Sequence, residues 1–162
     1  MKRFFTFAAA ATVAAFAAAP AHAEYVLWEE FNVWTVVKEP GYACWIEGEF
    51  EDGSYLEIGY DLEVDEGYVT VLNEELTEIV EDEEYELEIM LDSELWEATA
   101  VGVVYDGYPG IEVSTDNWEF LEGLADKNVL SFLDDEGHPY SFSLAGTAVA
   151  LESTWDCIES ML

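Results

Sequence analysis

Two stretches of this chain alternate apolar and acidic residues so regularly that only a β-strand puts each kind on its own face. In Tyr55 to Asp65, Leu56, Ile58, Tyr60, Leu62 and Val64 share one face, with Glu57, Asp61, Glu63 and Asp65 on the other. From Glu84 to Asp92 the same scheme sets Tyr85, Leu87, Ile89 and Leu91 against Glu84, Glu86 and Glu88. Successive strand side chains point to opposite faces, so such a pattern predicts antiparallel sheet with one face on a core and one in water. Further strands are expected at Val33 to Val37, Ala43 to Phe50, Tyr68 to Leu72, Trp96 to Tyr105, Gly110 to Ser114, Val129 to Leu133 and Tyr140 to Leu144. Turn chemistry punctuates them at Glu39-Pro40-Gly41, Asp52-Gly53, Glu66-Gly67, Asp106-Gly107, Pro109-Gly110 and Glu136-Gly137.

Two segments have helical spacing. Asp116 followed by Glu119 fits a capping box, and Trp118, Leu121 and Leu124 recur every three residues before Lys127. From Thr147 onward, Ala148, Leu151, Trp155, Ile158 and Leu162 fall in one sector and Glu152, Asp156 and Glu159 lie opposite. The expected fold is mainly β: an antiparallel sandwich or partly rolled barrel with a C-terminal α-helix and one short additional helix.

Residues 1–23 read as a removable signal rather than part of that domain. Lys2 and Arg3 precede the apolar run Phe4 to Ala19, and Ala21-His22-Ala23 is a small-x-small cleavage site, leaving residues 24–162 as one β-rich domain. The run is shorter than the roughly 20 residues a membrane span needs, and no integral membrane segment is expected after cleavage. Export to the periplasm or beyond implies an oxidising compartment, so the two cysteines, Cys44 and Cys157, are expected to pair.

Losing Lys2 and Arg3 takes the formal charge from −33 to −35, with only Lys38 and Lys127 against 37 Asp and Glu. Nucleic acid is excluded as a partner, because displacing phosphate counterions takes Lys and Arg. Cations or a basic protein partner remain. An acid-rich, Lys-poor surface also suits high external salt, where screening relieves self-repulsion.

Several phrases together carry a family likeness: Trp34 and Val36 before Gly41-Tyr42-Ala43-Cys44; Val71-Leu72-Asn73; Glu81 to Tyr85; and Phe142-Ser143-Leu144-Ala145-Gly146-Thr147-Ala148-Val149-Ala150-Leu151 ending in Cys157. In these the chain resembles a group of small, largely uncharacterised exported proteins of alphaproteobacteria, similar to the invasion-associated locus B family. The resemblance implies a signal peptide, a β-rich periplasmic domain and a late cysteine. It implies no catalytic residue, and the acidity departs from a typical member.

Most catalytic chemistry lacks its parts. His138 is the sole imidazole after cleavage and lies in a turn-like Asp134-Asp135-Glu136-Gly137-His138-Pro139, so neither Ser nor Cys catalysis has an evident base. No zinc set or phosphate loop is recognisable, and no cofactor is expected. Asp61 to Gly67 starts like a calcium loop, but its Gly comes one place late and Leu72 stands at position twelve; strand alternation explains it better. Asp134, Asp135 and Glu136 form a weak calcium candidate. A carboxylate-based hydrolase acting on carbohydrate would need one buried acid beside aromatic walls, for which Trp28, Trp45, Trp96 and Trp118 are candidates. Trp45 shares a strand face with Glu47 and Glu49 and is expected to be exposed. The leading expectation is a non-enzymatic exported module that binds or associates with the envelope. The alternatives are that hydrolase, or a calcium or cationic-ligand binder.

Overall fold

A computed structural model describes residues 25–133, 137 and 139–162. Residues 1–24, Asp134, Asp135, Glu136, His138 and the side chains of Trp118 and Glu119 lie outside the described residues. Among the described residues, ten strands form one antiparallel sheet: β1 (Val26–Phe31), β2 (Trp34–Glu39), β3 (Ala43–Glu49), β4 (Tyr55–Asp61), β5 (Glu66–Leu72), β6 (Glu84–Leu91), β7 (Glu94–Tyr105), β8 (Tyr108–Thr115), β9 (Val129–Leu133) and β10 (Pro139–Ser143). Two helices complete it, α1 (Trp118–Asp126) between β8 and β9, and α2 (Thr147–Glu159) at the end. The strand order is β1-β2-β3-β4-β5-β8-β7-β6-β9-β10, so the chain meanders through β5, jumps to β6 and returns by hairpins.

Alternation sets which side of this sheet is dry. Trp34, Val36, Ile46, Leu56, Ile58, Val69, Ile89, Leu91, Leu130 and Phe142 point to one side and form a single buried cluster. Because that cluster joins strands from both ends of the order, the sheet is rolled about its core without closing. Side chains bridge the seam. Phe50 packs edge-on against Phe142 with centroids 5.0 Å apart, and the Trp34 indole donates to the Ala145 carbonyl at 3.0 Å. Beside them, Tyr140 of β10 bonds the Ser54 hydroxyl and accepts from Asn73 Nδ2 at 3.0 Å, tying the β3–β4 turn to the far edge.

Asp106-Gly107 makes a two-residue hairpin turn with both φ positive (51° and 90°), the backbone that Asp-Gly adopts readily. Glu66-Gly67 and Pro109-Gly110 do not turn the chain; they lie inside β5 and β8. Each glycine answers a close approach instead. A Cβ on Gly67 would run into Leu121 of α1, and one on Gly110 into the Val71 carbonyl. β4 ends at Asp61, earlier than the alternation suggests: Val64 is exposed and Asp65 takes φ 63°. In this turn the Asp61 carboxylate accepts from the Glu63 amide at 2.7 Å and Tyr60 donates to Asp65. α1 is capped one residue later than expected, Asn117 Oδ1 accepting from the Phe120 amide at 3.4 Å.

Cys44 and Cys157 are bonded, with Cα atoms 6.2 Å apart and a sequence separation of 113. The bond fixes how α2 is rotated. Thr147, Ala150, Ser153, Thr154, Cys157 and Ile158 are its buried residues. Small side chains let the helix lie close on β2 and β3, and Ser153 donates to Glu29 Oε2 at 2.8 Å. The expected apolar sector is only partly buried: Ile158 is buried and Leu151 packs against the core, but Trp155 is 39% exposed, Leu162 is 90% exposed and Ala148 is exposed.

Candidate functional site

The side of the sheet turned from the core is not uniformly wet. Cross-strand register lines up Thr35 of β2, Glu47 of β3, Glu57 of β4, Thr70 of β5 and Glu112 of β8 as successive partners. All five stand on that outer face. The neighbouring row is Val37, Trp45, Gly59, Tyr68 and Ser114. Gly59 is the opening in that row. A Cβ there would stand 2.5 Å from Tyr68 Cζ and 2.6 Å from Trp45 Cβ, so only glycine lets the phenol ring lie across β4 against Trp45.

Trp45 is consequently buried, 8% exposed, contrary to the expectation from its acidic neighbours. Val37, Ala43 and Tyr68 pack around it, and Tyr25 meets it edge-on at 5.4 Å between centroids. Its buried indole N–H lies toward the Glu47 carboxylate without reaching good hydrogen-bond geometry. Beside it opens a recess of about 540 Å³, walled by Tyr25, Trp45 and Tyr105 and holding Glu47 and Glu57.

The local electrostatics follow from this partial drying. Burial, reinforced by the nearby charges of Glu47, Glu112 and Asp106, pushes the Glu57 carboxyl up from 4.5 to about 7. Burial also raises Glu47, opposed by the neighbouring Trp45 indole. Glu112 is held in place by two hydroxyls, Thr70 Oγ1 at 2.9 Å and Tyr105 Oη at 3.0 Å, both donating to Oε2. Burial raises Tyr68 and Tyr105 well above the usual phenol range, so both remain neutral donors near neutral pH. Among the described residues no lysine neutralises the row: Lys38 donates to Ser160 Oγ at 2.7 Å and stands 5.0 Å over the Trp28 ring, and Lys127 pairs with Glu94 at 2.7 Å.

Such a recess can receive a positive charge or a set of hydrogen-bond donors, and it can hold a proton near neutral pH on Glu57. Of the other aromatic candidates, Trp28 is on the edge strand β1 and Trp96 packs on Phe120 at 5.4 Å, both apart from this recess. Among the described residues no group of three or more His, Cys, Asp or Glu has metal-holding geometry. The candidates Asp134, Asp135 and Glu136 lie outside them. No helix among the described residues is long and apolar enough to cross a membrane. Strand alternation marks Glu57 as an outward residue and nothing more; the signal for its unusual setting is the mid-strand Gly59 two residues on. Comparison with protein-family models, curated proteins and solved structures returned no match.

Proposed function

We propose that this chain is an exported, non-enzymatic binding module whose ligand presents a positively charged organic group to the outer-face recess. One observation carries the reading: Glu47 and Glu57 stand directly opposite each other, partly dried, with no basic side chain among the described residues to offset them. Like charges opposed across strands are unfavourable, and burial adds to the cost, so a bound cation would relieve both. Tyr25, Trp45 and Tyr105 offer the ring faces and edges that accompany organic-cation sites, and the chain's net negative charge draws cations from a distance. Export is supported by the Lys2-Arg3 start, the apolar run and Ala21-His22-Ala23, and by a disulfide of the kind that persists outside the cytosol. The remaining carboxylates form an acidic, salt-adapted surface.

The test is a titration with benzyltrimethylammonium at fixed ionic strength, followed by Tyr and Trp fluorescence. Saturable binding is expected near pH 8, weaker by about tenfold near pH 6 as Glu57 takes up its proton. Glu57→Gln should remove that pH step. A response no different from matched NaCl sinks the reading.

A second reading has support of its own. A carboxyl raised to about 7 facing a second carboxyl beside aromatic walls is also the arrangement of a carbohydrate hydrolase. Turnover of chromogenic aryl glycosides, lost in both Glu47→Gln and Glu57→Gln, would replace the binding reading with this one.

A further inference from the structure

The part of the α2 apolar sector that stays off the core is not left on open surface. Leu151 and Trp155 form one wall of a cavity of about 400 Å³; Leu121 and Ala125 of α1 form the other, and Ile58 and Tyr60 of β4 line it from the sheet. This is the size of small-ligand pockets, and such pockets are mainly apolar with a few polar groups at the edge. The charged groups of the lining share one sign. Glu122, Asp126 and Glu152 stand exposed around the lining, and Trp155 places its ring 5.9 Å from that of Tyr60 beside them. Lys127, next in sequence to Asp126, is drawn off by Glu94.

We propose that this pocket binds a cationic amphiphile, its apolar chain between α1 and α2 and its ammonium head among Glu122, Asp126 and Glu152. The apolar lining accounts for the chain. The acidic rim selects the head, since an anionic amphiphile meets three carboxylates and a strongly negative protein. Trp155 adds a ring face for the cation. This site is separate from the outer-face recess, being on the core side of β4, and stands whether or not that recess binds anything.

The probes are hexyl-, octyl- and decyltrimethylammonium below their micellar concentrations, titrated calorimetrically at fixed ionic strength. One molecule should bind per chain at this pocket, told apart from any binding at the outer-face recess by its dependence on chain length, with affinity rising by up to about fourfold per added methylene until the chain outgrows the cavity. Ala148→Phe, at an exposed helix position lining the pocket, should cut affinity at least tenfold with the melting temperature unchanged. The triple variant Glu122→Gln, Asp126→Asn, Glu152→Gln should narrow the preference over octyl sulfate. Equal binding of octyl sulfate by the unaltered protein overturns the proposal. So does multiple binding insensitive to Ala148→Phe, or sedimentation showing that a second copy of the chain already fills the pocket.

Discussion

Two pairs of glutamates stand directly opposite each other on the outer face of this sheet, Glu47 with Glu57 and Glu88 with Glu97. Backbone geometry is the same for both, antiparallel neighbours in register. Their surroundings are not. Glu88 and Glu97 are exposed, whereas Glu57 lies beside Trp45 and Tyr68, where burial moves its carboxyl to about 7. Alternation therefore decides which way a side chain points, and the cross-strand neighbours decide what solvent it meets.

The largest test of that distinction removes the cover. Trp45→Ala should cost about 3 to 5 kcal/mol, the range for emptying a buried aromatic site, measured as a urea midpoint near pH 5. It should also bring the Glu57 carboxyl, followed by carbon NMR, down toward 4.5. The matching change beside the wet pair, Thr99→Ala at an exposed position, should stay within about 0.5 kcal/mol. A Glu57 still titrating near 7 in the Trp45 variant would mean that something other than this ring dries the site.

Gly59→Ala probes the same cover from beneath. The added methyl meets the Tyr68 ring at 2.5 Å and Trp45 at 2.6 Å, so the two rings must separate, at a cost of about 2 to 3 kcal/mol. A variant as stable as the parent would show that the rings yield freely and that the recess is not rigid.

Removing the charge should do the reverse. Glu57 binds its proton more tightly folded than unfolded, so the folded chain holds the extra proton between about pH 4.5 and 7. Its contribution to stability is then fullest below that window and is lost as pH rises through it. Allowing for residual solvent contact, Glu57→Gln should be about 2 kcal/mol more stable relative to the parent near pH 8 than near pH 4.5. A flat comparison for Glu57 would place its carboxyl in water after all.

What could be read beforehand follows the same line. Nine of the ten strands were legible because apolar residues recur at every second place between turn residues, and α2 because they recur at helical spacing. β1 escaped because its Val-Leu-Trp run is interrupted by a bulge between Leu27 and Glu29 and lies on an edge, so no face of it alternates. The rotation of α2 escaped because a covalent bond to Cys44 and small residues at the contact outrank the larger apolar sector. At the recess, Trp45 and Glu57 were each legible as outward-facing. Their company was not, since it depends on Tyr68 crossing Gly59 from another strand and on Tyr25 closing over from β1's approach.

The smallest effect separates the two causes of strain in these pairs. For Glu88 and Glu97 the cost is repulsion through water, a few tenths of a kcal/mol, which a Debye length shortened from about 10 Å at 0.1 M to about 3 Å at 1 M salt should nearly abolish. Glu97→Gln should therefore gain about 0.3 kcal/mol at low salt and almost nothing at 1 M. For Glu57 the leading cause is burial, which salt does not reach, so most of the gain from Glu57→Gln should survive at 1 M. Urea midpoints of both variants near pH 8 at the two salt concentrations make the comparison. Equal salt sensitivity would reduce both pairs to the same screened repulsion, and the dry half of the outer face would lose its distinction from the wet one.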